Sequence, residues 1–131
     1  MSDGTGVITS GRIVIIADDH ASTRRVLADL LRADGWTVFE ARDGVELLGL
    51  AALHRPHAVV SDLSMPRMDG LEAARALRRR PAFGDRCLIA ITARQLTIGQ
   101  ERQIGLVFDH LIEKPVRPSA LRRSLPSAGN G

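Results

Sequence analysis

Residues Arg12 to Asp19 read Arg-Ile-Val-Ile-Ile-Ala-Asp-Asp. The run is β-branched and apolar, and no polar residue interrupts it until the two aspartates. A strand with one face in water alternates apolar and polar residues. One that is apolar at every position is buried on both faces, as in a parallel sheet covered by helices on either side. The rest of the chain has the matching rhythm. From Ser22 to Asp34 the residues Val26, Leu27, Leu30 and Leu31 recur at helical spacing, and Gly35 supplies a stop. Trp36 to Ala41 reads as a second strand. Val45 to Leu53 reads as a second helix, ended ahead of Pro56. His57 to Ser61 is the third strand, and Gly70 to Arg80 the third helix, with Arg78, Arg79 and Arg80 read as its solvated end. Cys87 to Thr92 is the fourth strand. Leu96 to Ile104 is the weakest helix, since Thr97, Ile98 and Gly99 are poor helix formers and Gly105 closes it. Val107 to Ile112 is the fifth strand. Arg117 to Leu125 is a short last helix, with Pro118 in its first turn and Pro126 at its end. Five strands alternating with helices predict an α/β fold with a parallel sheet, right-handed crossovers and helices on both faces. The expected domain runs from residue 12 to 125, between a flexible segment at 1–11 and a tail at 126–131.

Composition narrows the function classes. The 131 residues carry 18 Lys and Arg against 15 Asp and Glu, a formal net charge of +3, with a pI near 10.3. Lys114 is the only lysine, so arginines that never deprotonate set the pI. The single cysteine, Cys87, excludes an internal disulfide and fits a reducing cytoplasm. No apolar run approaches the ~20 residues that span a bilayer. The N-terminus has neither the basic nor the apolar region of a signal peptide.

In an open parallel sheet the functional crevice lies beyond the carboxyl ends of the strands. Strand one ends in Asp18 and Asp19, strand three in Asp62, strand four in Thr92 and strand five in Lys114, followed by Pro115. Three carboxylates in one crevice call for a cation or for shifted pKa values. Oxygen donors favour a hard ion, with Mg²⁺ the natural candidate. Lys114 and Thr92 offer an ammonium and a hydroxyl suited to phosphoryl oxygens. A carboxylate so placed can attack phosphorus and form an aspartyl phosphate. Taken singly, each residue also has a plainer role. One of Asp18 and Asp19 would serve as a helix cap. Asp69 and Gly70 suit a turn and cap. His20, just after the acidic pair, has two readings, lining the crevice or an exposed loop histidine, of which the second is favoured; His54, His57 and His110 lack metal-ligand spacing. Cys87 suits packing better than reactivity.

The four strand-end segments together resemble the receiver domain of two-component response regulators, over about Arg12 to Leu125. The segments are Ile15-Ile16-Ala17-Asp18-Asp19, Val59 through Gly70, Ile91-Thr92-Ala93 and Lys114-Pro115. The resemblance is to chemotaxis regulators and to the receivers of hybrid sensor kinases. It implies a flavodoxin-like strand order 2-1-3-4-5. It implies that Asp62 accepts a phosphoryl group from a phosphohistidine of a histidine kinase or phosphotransfer protein. Asp19, Asp62 and the backbone carbonyl of Ser64 would hold Mg²⁺ (Mn²⁺ being a second candidate), with Asp18 acting through a metal-bound water. Thr92 and Lys114 would each contact the phosphoryl group, and the Lys114–Pro115 bond would be cis. Ser64 and Arg94 would tune the rate of hydrolysis.

The chain departs from the family at three places. Leu111 stands where Tyr or Phe is common, so a switch would act through loop movement or repacking of Leu111. Val116 stands where Phe is common. The last helix is short, which bears on dimerisation. The expected molecule is a cytoplasmic monomer or weak dimer that catalyses only its own phosphoryl transfer and dephosphorylation. It would dock to a downstream protein, with no membrane and no direct nucleic-acid contact. The termini favour a stand-alone regulator over a receiver separated from a longer chain. Two other classes fit less well. A haloacid-dehalogenase-like phosphohydrolase needs an acid two residues after the nucleophile, where this chain has Ser64. A nucleic-acid module lacks an appended helix-turn-helix and paired aromatics.

Overall fold

The structure is a computed structural model that describes residues 11–93 and 95–126. The segments 1–10 and 127–131, and with them most of both expected tails, lie outside the described residues. Arg94 does as well.

Five strands and five helices alternate among the described residues. They are β1 (Ile13–Ala17), α1 (Ala21–Ala33), β2 (Thr37–Ala41), α2 (Gly44–His54), β3 (Ala58–Asp62), α3 (Gly70–Arg78), β4 (Cys87–Thr92), α4 (Ile98–Gly105), β5 (His110–Glu113) and α5 (Pro118–Ser124). The sheet is parallel throughout, in the order β2-β1-β3-β4-β5. This is the doubly wound order 2-1-3-4-5, with the switch point between β1 and β3.

The period of two along each strand sorts its residues between two cores. Ile15, Ala17, Val59, Leu88 and Ala90 face Leu47 and Ala51 of α2, Ala73, Ala74 and Leu77 of α3, and Ile104 of α4. Val14, Ile16, Ala58, Val60, Ile89 and Ile91 face Leu27, Ala28 and Leu31 of α1 and Leu121 of α5. Burying each of the larger aliphatic side chains contributes about 1.5–3 kcal/mol. That cost of exposure fixes the registers and so aligns the strand ends.

Several boundaries differ from the sequence expectation. Thr97 stands outside α4 as its N-cap. Its hydroxyl accepts from the Gln100 N–H at 3.1 Å, and the Gln100 side chain accepts from the Thr97 N–H at 2.8 Å. Val107 and Phe108 are not in β5 but in the turn after α4, where Phe108 is buried and Asp109 donates its N–H to the Leu88 carbonyl at 2.8 Å. β5 itself is an exposed edge strand. In the arginine run at the end of α3, Arg79 is exposed as expected, but Arg78 and Arg80 are half-buried and bonded to backbone carbonyls. Arg78 donates to the carbonyls of Val107, Gly84 and Arg86 and pairs with Asp109 at 3.0 Å. Arg80 donates to the Leu48 carbonyl. No helix among the described residues is long and apolar enough to cross a membrane.

The Cys87 thiol is pushed up to about 11, by burial first and by the Asp109 charge second, with Arg78 opposing. At pH 8 that leaves about one thiolate in a thousand, so iodoacetamide should label the native protein about 100-fold more slowly than the urea-unfolded chain. Comparable rates would place Cys87 at an accessible surface.

Candidate functional site

The parallel registers carry the chemistry to one edge. Asp62, the last residue of β3, lies opposite Ile91 of β4, and Ala17 at the end of β1 lies opposite Ser61. Asp18 and Asp19 therefore leave β1 beside Asp62. Thr92 ends β4 opposite Glu113, one residue before Lys114. The Thr92 carbonyl accepts from the Lys114 N–H at 2.8 Å, and the Lys114–Pro115 peptide is cis.

The side chains converge there. Lys114 Nζ donates to Asp62 Oδ2 at 2.8 Å and to Asp18 Oδ2 at 3.1 Å. The Asp18 side chain is 1% exposed, that of Asp62 6% and that of Lys114 18%. Burial by itself would lower the lysine pKa. The hydrogen bonds and charges of Asp62 and Asp18 outweigh it, so the ammonium is held above its ordinary range. Asp19 stands at the mouth, 35% exposed. Asp18, Asp19, His20 and Asp62 each offer a ligand atom, all within 4.8 Å of one another. Three carboxylates against one ammonium leave an excess of negative charge, mostly on oxygen donors. That donor set fits a hard divalent cation.

Local geometry explains how these residues are held. Gly70 is required by close approach: a Cβ there would run into the Asp62 carbonyl and come within 3.0 Å of Ser61 Oγ. Gly70 also donates its N–H to the Leu63 carbonyl at 3.1 Å, closing the loop after β3. Within that loop the Ser64 N–H donates to Asp62 Oδ1 at 3.0 Å, which orients the second carboxylate oxygen toward Lys114. Asp69 caps α3 by accepting from the Glu72 N–H.

His20 takes the crevice position, the less favoured of its two expected readings, while Arg24, Asp43 and Arg67 are participants that the sequence reading does not single out. Neither Asp18 nor Asp19 is the cap of α1. The N-cap position is His20, whose N–H donates to Asp18 Oδ1 at 2.9 Å and whose Nδ1 lies 3.3 Å from Asp19 Oδ1. Arg24 on α1 donates to the Asp18 carbonyl at 2.8 Å and pairs with Glu40 at 3.0 Å. Asp43 caps α2 and accepts Nε and Nη2 of Arg67 at 2.9 and 2.7 Å, while the Gly44 N–H donates to the Met68 carbonyl at 2.9 Å. α2 thereby anchors the loop after Asp62. Arg67 adopts the left-handed region, φ 65°. The spacing of Asp43 from Glu46 was a readable cap signal; its pairing with Arg67 was not. Leu111 lies on the exposed edge strand, away from the carboxylates.

The Asp43 carboxyl is held below its ordinary range, first by the Glu46 N–H and, against some burial, by the Arg67 guanidinium. A depressed acid stabilises the fold fully above the unfolded value, near 3.8, and loses that contribution as pH falls through the lowered value. Arg67→Ala should move the Asp43 midpoint part of the way back up, because the Glu46 N–H remains. Side-chain carboxyl NMR titration of both proteins measures this, and identical midpoints would show that the contact is absent in solution.

Known proteins share this sequence pattern and this fold. Residues 14–125 match the family model described as response regulator receiver domain. The response regulator MprA of Mycobacterium sp. (strain KMS) is 35% identical over 124 residues, covering 88% of this chain and 53% of that protein. The sensor histidine kinase RcsC of Salmonella typhi is 30% identical over 124 residues, covering 95% of this chain and 13% of that protein. The chain thus spans about half the length of MprA and much less of RcsC. Among solved structures, chemotaxis protein CheY4 of Vibrio cholerae superposes with a TM-score of 0.80 at 26% identity, covering 86% of this chain and 94% of that one. The receiver domain of sensor histidine kinase PA1611 from Pseudomonas aeruginosa PAO1, with a magnesium ion coordinated in its active site cleft, gives 0.78 at 26% identity, covering 86% and 93%.

Proposed function

Because the chain belongs to the response regulator receiver domain family, we propose that it is a phosphorylation switch whose acceptor is Asp62. The observation that carries this is the pairing of a buried Asp62 with Lys114 at 2.8 Å, beside Asp18 and Asp19 and at the end of the central strand.

In this reading a histidine kinase or phosphotransfer protein presents a phosphohistidine at the mouth of the crevice. Asp62 Oδ attacks phosphorus, the P–N bond to the imidazole breaks, and the phosphoryl group is left on the Asp62 carboxylate. Asp19, Asp62 and the Ser64 carbonyl would hold Mg²⁺ (or Mn²⁺), with Asp18 behind a bound water. The ion would supply electrostatic stabilisation of the phosphoryl oxygens. Lys114 exchanges its contact with Asp62 for a phosphoryl oxygen, and the Thr92 hydroxyl takes another. Water later attacks the acyl phosphate and releases inorganic phosphate. The chain turns over no separate substrate.

A cavity of about 530 Å³ between Ser22, Thr23, Val26 and the segment Lys114–Val116 adjoins the crevice, with Val26 67% exposed. It suits the apolar footprint of the phosphohistidine donor. Downstream, the switch engages a further protein as a monomer or weak dimer in the cytoplasm. The hydrolase reading has no support, since Ser64 offers only its N–H to Asp62 and no acid or base.

Incubation with acetyl phosphate, with intact mass as the readout, tests the proposal. One phosphoryl group should be added in Mg²⁺ and none in EDTA. Uptake that is unaffected by chelation would exclude this site.

A further inference from the structure

The amino-terminal edge of the sheet carries a second feature, which the chemistry at Asp62 does not use. A cleft of about 320 Å³ opens between the end of α2 and the turn after α3. Its floor is apolar, built from Pro56, Leu77 and Phe83, all buried. Its rim is Arg55, Arg80 and Arg86. Pro56 lies two residues before β3 and Arg86 immediately before β4, whereas Asp62 ends β3. At the strand rise the two sites lie on the order of 17 Å apart.

None of the three guanidiniums is neutralised, and two of them, Arg80 and Arg86, are held in place. Among the described residues none of them meets a carboxylate at ion-pair distance. One nitrogen of Arg86 donates to the Arg55 and Pro56 carbonyls at 3.0 and 2.8 Å, and one nitrogen of Arg80 donates to the Leu48 carbonyl at 3.1 Å. These two forks are thereby fixed in place with further N–H donors in hand, the arrangement in which arginine binds an oxyanion at least entropic cost. The Arg55 side chain makes no hydrogen bond or ion pair among the described residues. The surplus charge registers on a neighbour. His57, whose Nδ1 accepts the Ile13 N–H at 3.1 Å, has its pKa lowered by burial and then by the charges of Arg86 and Arg12.

We propose that this cleft binds a phosphate monoester of a compact aromatic or apolar alcohol, with the body among Ala52, Pro81 and Ala82 over Phe83 and the phosphate between Arg55, Arg80 and Arg86. An apolar floor with a few convergent charged groups is the usual build of a small-ligand site. The site works independently of phosphorylation, because its residues share no contact with Asp62 or Lys114.

Titration of the ¹⁵N-labelled full chain with phenyl phosphate tests it, with inorganic phosphate and phenol as separate arms. Saturable shifts should appear at amides of 52–55, of His57 and of 82–86. Inorganic phosphate and phenol should each bind about tenfold more weakly there, since each supplies half of the contacts. Arg80→Gln should weaken phenyl phosphate further, but it also removes a bond to α2. Arg55→Gln removes only charge, so its melting temperature should equal the wild type while affinity falls about fivefold. Four results would each overturn the proposal: no saturable shift at these amides, shifts confined to the residues around Asp62, equal binding of inorganic and phenyl phosphate, or Arg55→Gln binding like the wild type.

Discussion

Asp62→Asn should take up no phosphoryl group from acetyl phosphate in Mg²⁺, while keeping its fold. The attacking atom must be a carboxylate oxygen with electron density to donate. An amide nitrogen has its lone pair in resonance, and an amide oxygen is a far weaker nucleophile. The substitution is otherwise mild. Asparagine Oδ1 can still accept the Ser64 N–H, now 3.0 Å from the carboxylate. The backbone of residue 62 stays in β3, and the Leu63 N–H still reaches the Ile91 carbonyl at 3.0 Å. The new amide group would present a donor to Lys114, which retains Asp18 as its acceptor. Exchanging one charge-assisted hydrogen bond for an unfavourable contact costs about 1.5–3 kcal/mol, a loss a urea melt resolves and a folded domain survives. Intact mass reads the main effect directly. An added phosphoryl group at wild-type rate in this variant would move the acceptor to another carboxylate, with Asp18 and Asp19 the adjacent ones.

The fold was legible where burial leaves a mark on composition. β1, β3 and β4 are covered on both faces, so nearly every residue in them had to be apolar, and the strand ends lie where that run breaks. β5 is the instructive failure. It is an edge strand whose residues are mostly exposed, so hydrophobicity does not mark it. The apolar residues just before it, Val107 and Phe108, drew the expected strand forward. They are apolar because the turn after α4 folds Phe108 into the core beside Ile104. The start of α4 failed for a different reason. The expected helix began at Leu96, two residues early, whereas Thr97 and Gln100 form the reciprocal cap that starts it at Ile98. Propensity was weighed where capping decided.

The site was legible because its members end strands, and a parallel sheet gathers strand ends by construction. The contacts that hold them in place were not. Arg24 reaching the Asp18 carbonyl, and Arg67 reaching Asp43 from 24 residues away, depend on how loops return across the sheet edge. Nothing local in the sequence distinguishes them from the other arginines. Arg78 makes the same point. Three consecutive arginines at a helix end read as a solvated cap, yet this one threads between three carbonyls and a carboxylate. A lone lysine among 18 basic residues carried more information than the arginine run.

That lysine gives the second large effect. Lys114→Met should destabilise the protein in EDTA by about 3–5 kcal/mol, as expected when one partner of a buried ionic cluster is removed and the other left unpaired. The side chains of Asp18 and Asp62 are 1% and 6% exposed and share Lys114 as their common cation. With methionine of similar length in its place, two buried carboxylates face one another with no compensating charge. Adding Mg²⁺ should reverse most of the loss. The ion then meets carboxylates no longer held by an ammonium, so it binds the variant more tightly than the wild type and stabilises it more at equal concentration. Urea melts of both proteins in EDTA and in Mg²⁺ give the four free energies needed. Phosphorylation separates this electrostatic role from a chemical one. The metal-bound variant is folded and its Asp62 intact, yet its phosphoryl group lacks the ammonium, so uptake or the response to it should be impaired. Lys114→Arg should be impaired too, because a planar fork cannot replace a point charge within 3.1 Å of both carboxylates. A Lys114→Met protein as stable as wild type in EDTA, or one that gains no more from Mg²⁺ than wild type does, would remove Lys114 from the centre of this site.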